Sequence, residues 1–336
     1  MTVAFVLGPA QDYAPAAALI AGARERDIPV RVIAAGPGTP EDATLVEPVD
    51  VQVLLGEGSP VLRSSLALMG IENEIIDDPP EAVVVFGSHE AGLAAALIAA
   101  KEHIPLWHAG AGRFAFESTE GDGTESYAPP ADEDLIAVLA SGLLAPTEFA
   151  GTALAAARYD VRRIWVTGPL EAETLERMSD RIALRAAAAD HDLEPRGYVA
   201  VSLENEDAMP GHPLPWVNVR GMGYLERISL LSEASVAVTD GFDLQLEACL
   251  LRVPCLVVAP SSPIREIRAV GAAKRCPADT ASIALAIAEQ AGRTERDWEA
   301  PPMFDADVSA RILALIVPLD ERRAAQDRAD RATSEV

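Results

Sequence analysis

Residues Val236–Val258, VAVTDGFDLQLEACLLRVPCLVV, decide the fold. Val236, Ala237 and Val238 form an apolar run too short for a helix. Asp240 and Gly241 supply turn chemistry, and Leu244, Leu246 and Leu250 are the apolar positions of a segment with polar flanks. Pro254 then opens a second buried run, CLVV. The order is strand, tight polar turn, short helix, strand, which is the building unit of a parallel sheet. In open parallel sheets ligands bind outside the carboxyl ends of the strands, where the free N–H groups of the following helix attract phosphate, so Asp240-Gly241 marks a candidate ligand position.

Ala82–Pro105, AVVVFGSHEAGLAAALIAAKEHIP, has the same order, with Gly87 at the turn and a proline before LWHAGAG. Two such units predict an α/β protein with two Rossmann-like, doubly wound parallel-sheet domains facing a cleft flanked by Gly8, Gly87 and Gly241. Val3–Leu7 reads as the first strand, followed by a helix over Ala16–Arg26, and Ile28–Ala34 reads as the second strand. Val61–Met69 reads as a short helix. Residues 116–134, FESTEGDGTESYAPPADED, are polar and rich in Gly and Pro, as in a surface loop or lid. Ile164–Gly168 closes the first domain and Tyr198–Leu203 opens the second sheet. The expected boundaries are 1–168, 169–319 and a charged tail, 320–336, that frays.

Carboxylates outnumber basic residues by 52 to 27, giving a formal charge of −25, and only Lys101 and Lys274 are lysines. An acidic excess with so little lysine, on a chain still apolar enough for two cores, fits a surface hydrated in concentrated salt, where a Debye length of about 3 Å screens self-repulsion. Asp12, Asp77, Asp78 and Asp132–Asp134 are read as part of that surface. The same balance excludes nucleic acid as the partner. Cys249, Cys255 and Cys276 form no CxxC pair and point to a reducing compartment. No secretory leader pattern precedes the first strand, and no apolar run approaches the ~20 residues that span a bilayer, so a cytoplasmic protein without a membrane partner is expected. No cluster has metal-ligand spacing, and neither GxGxxG nor GxxxxGK[ST] occurs.

Seven segments together carry a resemblance. They are MTVAFVLG at 1–8, VVVFGS at 83–88, IPLWHAGAG at 104–112, LLAPTEFA at 143–150, RRIWVTGPLEAETL at 162–175, YLERISLLSEASVAVTDGFDLQLEACLLRVPCLVV at 224–258 and PPMFDADVSARI at 301–312. In this order they resemble the non-hydrolysing UDP-N-acetylglucosamine 2-epimerases. The resemblance implies the two-domain architecture shared with many glycosyltransferases (GT-B), no cofactor, a UDP-sugar ligand, and a dimer or a heteromer with a related subunit. It also implies epimerisation at C2 of the sugar by elimination of UDP and its re-addition, which needs acid–base groups near the C2 proton and a grip on the departing diphosphate.

Those groups are largely replaced. Ala10 stands where the family has the arginine of Gly-Thr-Arg-Pro-Glu. Ser88 replaces a carboxylate after the Val83 strand, and Gly110 replaces the acid of His-Val-Glu-Ala-Gly. Pro130 falls in the Pro-Glu-Glu segment, and Glu204 opens the block that is His-Arg-Arg-Glu in the family. Gly, Ala and Pro side chains transfer no protons, and groups acting as one unit are lost together. Glu204 to Tyr224 is about twenty residues, too short for the family's helix and strand there, so the second domain is expected to be shortened; His212-Pro213 reads as a remnant of that stretch. The substrate-binding positions carried over are Gly8, Gly241, Phe242, Glu247 (the ribose glutamate of the family) and Arg265; Phe242 and Asp243 alter the phosphate loop. His108 is read as structural, its acidic neighbour having gone, and His89, just past a strand end, as suited to a ligand contact. The sequence therefore predicts an epimerase-like protein with degenerate catalysis, serving as a scaffold, partner subunit or weak UDP-sugar binder. The alternative is an active sugar-nucleotide enzyme, either an epimerase with relocated catalytic groups or a GT-B glycosyltransferase.

Overall fold

The structure, a computed structural model, describes residues 1–36, 38, 40–113, 117–118, 125–126, 130–185, 187–205, 209, 214–258, 264–293 and 296–317. The chain divides into two compact units. One holds Met1–Gly110, Asp132–Leu144 and the residues from Ala306 on; the other holds Ala111–Ala131 and Ala145–Asp305. The tail at 320–336 and His212-Pro213 lie outside the described residues.

The first sheet contains β1 (Val3–Leu7), β2 (Val30–Gly36), β3 (Val51–Leu54), β4 (Ala82–Phe86) and β5 (Leu106–Ala109). After the two-residue ribbon strands β6 (Glu117–Ser118) and β7 (Glu125–Ser126), it continues with β8 (Gly142–Ala145) and β9 (Ile164–Val166), in the order β3-β2-β1-β4-β5-β8-β9. Pairing is parallel from β3 through β8. Every residue of β1 and β4 is buried, which is why both read as unbroken apolar runs: helices cover the two faces of a parallel sheet. Ser59 caps the helix Pro60–Asp77, accepting from Leu62 N at 3.3 Å, with Pro60 at its first position. That helix runs well past the expected end at Met69.

The helix Val308–Ile316 returns to pack on the helix Tyr13–Arg24 in the first unit. A Cβ at Gly22 would lie 2.5 Å from Ser309 Oγ, so the glycine sets how closely the two helices approach.

The second sheet contains β10 (Val199–Ser202), β11 (Trp216–Asn218), β12 (Val236–Thr239), β13 (Cys255–Val258) and β14 (Ala273–Cys276), all parallel, in the order β11-β10-β12-β13-β14. Val199, Val201, Val236, Val238 and Leu256 form its core with Ile283 and Ile287 of the helix Thr280–Ala291, which Asp279 caps through Ser282 N at 2.9 Å. The two sheets are the parallel α/β pair expected from Val83 and Val236. The short interval before Tyr224 differs in one respect: it keeps a strand, β11, paired with Val199–Val201 at the sheet edge.

Candidate functional site

In the first sheet the order reverses at β1, whose neighbours β2 and β4 lead the chain in opposite directions, and such a switch point opens a crevice at the carboxyl ends of the strands. Gly8 follows β1 there and Gly87 follows β4, the φ of 64° at Gly87 placing it in the left-handed region. Asp12 lies between them. Its Oδ2 accepts from Gly8 N at 2.7 Å and lies 2.5 Å from His89 Nε2. At 2 % exposure Asp12 is not the solvated surface residue expected of it, because a strand-end amide and an imidazole satisfy its carboxylate inside the turn.

His89 is the N-cap of the helix Glu90–Lys101, its Nδ1 accepting from Gly92 N at 3.4 Å. Burial alone would lower its pKa, but the charge of Asp12 and the hydrogen bond to it reverse the sign and raise it above the usual imidazole value. Beside it, Arg63 Nε and Nη2 donate to Glu90 Oε1 at 2.9 and 2.5 Å. Gly8, Gly36, Gly56, Arg63, His89 and Glu90 line part of a pocket of about 360 Å³. Ala10 is exposed in the short turn before the first helix, Ser88 is half-buried, and Gly110, at φ 77°, ends β5. Pro130 is exposed. His108 is fully buried with Glu133 Oε2 3.8 Å from its Nε2, so Glu133, 5 % exposed, also departs from the surface reading of its neighbourhood.

In the second sheet the order reverses at β10 and β12. Asp240, just beyond β12, accepts from Glu204 N at 2.8 Å and ties the two strand ends together. Gly241 N donates to Thr239 Oγ1 at 2.9 Å, while its carbonyl accepts from Gln245 Nε2 at 3.0 Å and Gln245 Oε1 accepts from Ile264 N at 2.9 Å. The helix Asp243–Leu250 starts directly after Phe242.

A charge cluster surrounds that helix start. Arg113 Nη1 donates to Glu171 Oε1 at 2.6 Å and to Asp243 Oδ1 at 2.8 Å, and Nη2 donates to Glu171 Oε2 at 3.1 Å. The Phe242 ring lies 5.7 Å from the guanidinium carbon. Glu247 is 1 % exposed and paired with Arg227. Burial drives its pKa up to about 7 against the pull of Arg227, and Asp243 and Glu171 add to the rise. Arg265 is exposed, its guanidinium 5.9 Å from the Phe149 ring, and Glu266 Oε1 accepts from Phe149 N at 2.7 Å.

Gly8 and His89 thus meet on Asp12, and Phe242 meets Asp243 on Arg113. Arg63, Arg113, Glu171 and Arg227 were not singled out from the sequence; only Glu171, a carboxylate between Leu170 and Ala172 on a helix that is buried along most of its length, carried a local hint. Among the described residues no group of three His, Cys, Asp or Glu is arranged to hold a metal ion, and no helix is long and apolar enough to cross a membrane.

The family model described as UDP-N-acetylglucosamine 2-epimerase matches residues 40–208. The UDP-N-acetylglucosamine 2-epimerase of Methanococcus maripaludis is 24% identical over 324 residues, covering 82% of this chain and 86% of that protein. That of Methanocaldococcus jannaschii is 24% identical over 265 residues, covering 65% and 70%. Among solved structures, the M. jannaschii UDP-GlcNAc 2-epimerase in complex with UDP-GlcNAc and UDP aligns with a TM-score of 0.77 at 19% identity, covering 94% of this chain and 99% of that one. The Neisseria meningitidis enzyme bound to UDP-GlcNAc aligns at 0.74 and 18%, with the same coverage.

Proposed function

The chain belongs to the UDP-N-acetylglucosamine 2-epimerase family, and from that premise we propose that it is a member whose fold has outlived the family's epimerase chemistry. The observation that carries this reading is what occupies the strand-end positions: Ala10, Ser88 and Gly110 around the first switch point, Pro130 beyond it, and Glu204 at the second. None but Glu204 offers an ionisable side chain, and a carboxylate there repels a diphosphate. General acid–base groups contribute about 10²–10⁴-fold each, so their joint loss leaves little turnover.

The retained role is that of a scaffold or partner subunit, as a homodimer or with a related chain, with weak recognition of a UDP-sugar by Gly8, Gly241, Phe242, Glu247 and Arg265. Three free, buried cysteines support a reducing cytoplasm, and the −25 charge supports a salt-rich one. A second reading, a working sugar-nucleotide enzyme with relocated groups, has one observation in its favour: His89, paired with the buried Asp12, on the wall of the first unit's pocket.

Proton exchange decides between them. The purified protein is incubated with UDP-GlcNAc in D₂O and molar KCl, and deuterium at C2 is followed by NMR. The first reading expects no incorporation above the protein-free control. Incorporation that disappears in His89→Gln sinks it and establishes the second.

A further inference from the structure

We infer that the outer side of the helix Pro60–Asp77 is a self-docking surface, across which two copies of this chain pair antiparallel about a two-fold axis near Met69. The inference builds on the partner-subunit reading above and selects from it a second copy of this chain over a related one.

Crossovers between parallel strands of one sheet are right-handed, so the step from β1 to β2 and the steps from β3 on to β4, β5 and β8 lay their helices on opposite faces of the first sheet. On one face the helix Tyr13–Arg24 is itself covered by Val308–Ile316. On the other lie Pro60–Asp77, Glu90–Lys101 and Ala131–Leu139, and there the outer surface is apolar. Val61, Leu62, Met69 and Ile76 are between 48 % and 76 % exposed, and at 3.6 residues per turn they fall on one side of their helix. The helix cannot roll to bury them: a Cβ at Gly70 would lie 2.3 Å from Val53 Cγ1, so its inner side is seated closely on β3. A single exposed leucine needs no explanation, but four large apolar side chains on one side of a helix, in a chain with 52 carboxylates, mark a contact surface.

The stripe is symmetric about its own centre. Val61 stands eight residues before Met69 and Ile76 seven after it, so an antiparallel second copy sets each Val61 against the other's Ile76 and brings the two Met69 side chains together, the pattern of an isologous contact. Charge selects the same arrangement. The first turn of the helix carries no acid, while Glu72, Glu74 and Asp77 fall in its second half, with no base in its last turn. Antiparallel packing lays those carboxylates beside the positive dipole end of the other copy's helix, whereas parallel packing would set them against each other. The helix's one base, Arg63, is bound to Glu90 at the first unit's pocket, so no base of this helix rims the stripe to hold an anionic lipid surface. At about 27 Å by 10 Å the helix alone covers less than the ~800 Å² per partner of a stable interface, and the exposed Leu135 and Val138 of Ala131–Leu139 extend the apolar surface on the same layer.

The test is sedimentation velocity of the full-length protein at micromolar concentration in molar KCl, with near-UV circular dichroism and thermal melts verifying that the variants fold. The wild type is expected to sediment as a dimer. Met69→Glu, which sets two like charges together at the axis, is expected to weaken that dimer about thirtyfold or more. Met69→Cys treated with a short bis-maleimide should link two copies, while Leu285→Cys, exposed on the second unit's helix Thr280–Ala291, should not; the three native cysteines are buried. A monomeric wild type overturns the inference. So does a dimer that survives Met69→Glu, or a Met69→Cys variant that links no faster than Leu285→Cys. A monomer that floats with phosphatidylserine vesicles, and ceases to do so as Met69→Glu, overturns it too and gives the face to a membrane. Deuterium exchange in the wild type reports separately on the loss of chemistry, so failure of that reading and failure of this one are told apart.

Discussion

The imidazole of His89 occupies the space a side chain at Gly8 would need: a Cβ at Gly8 would lie 2.3 Å from the ring's Cε1. The contact is between the end of β1 and the turn after β4, and Asp12 locks it, its Oδ2 accepting from Gly8 N and lying 2.5 Å from His89 Nε2.

Gly8→Ala is therefore expected to force the ring out of its place and to destabilise the protein by about 1–3 kcal/mol, the usual cost of overpacking. Urea unfolding checks this. Because the clash is with His89, Gly8→Ala combined with His89→Ala should cost less than the two single changes summed. Additive values would mean that the glycine is needed for some other reason.

Two buried groups give stability a pH dependence of the same sign in adjacent windows. His89 has a raised folded pKa, so its contribution is complete below about 6.5 and is lost as pH rises through the folded value. Glu247, pushed up to about 7, binds its proton more tightly in the folded state than in the unfolded chain, so stability also falls as pH rises from 4.5 towards 7. Urea midpoints measured from pH 4.5 to 9 should decline. Glu247→Gln should flatten the lower part of the curve and His89→Gln the upper part. A curve unchanged by either substitution would show that neither group titrates differently on folding.

Thermal melts should move upward as KCl is raised from millimolar to molar concentration. With 52 carboxylates against 27 basic residues, screening relieves repulsion that the compact state concentrates. A midpoint flat or falling with salt would count against the salt-adapted reading of the surface.

The sheets were legible because their central strands are buried on both faces: VAFVL, AVVVF, VAVT and CLVV leave no other reading at their lengths. Edge strands were not. Ala273–Cys276 presents exposed Lys274 and Arg275, and Val51–Leu54 is at best half-buried, so neither has the apolar signature that periodicity detects. The turn glycines of the candidate site could be read locally, since a strand end followed by a helix needs them. Its ion pairs could not. Arg113 and Asp243 are 130 positions apart, and Asp12 looked like one more acid on an acidic surface until β4 brought His89 to it. For Asp12 and Asp243 the decisive charged partner is supplied by the fold from far along the chain, and no short sequence window contains it.

The return of Val308–Ile316 to the helix Tyr13–Arg24 fixes an order of events during synthesis. The second unit's last residue is Asp305, while the first unit waits for residues from Ala306 on. At the ~5–20 residues per second of translation, the roughly 200 residues after Gly110 take on the order of 10–40 s to emerge. Through that time the first unit, although made first, lacks its closing helix and leaves the face around Gly22 open to water. The unit whose first residues are translated earliest is thus the unit completed last.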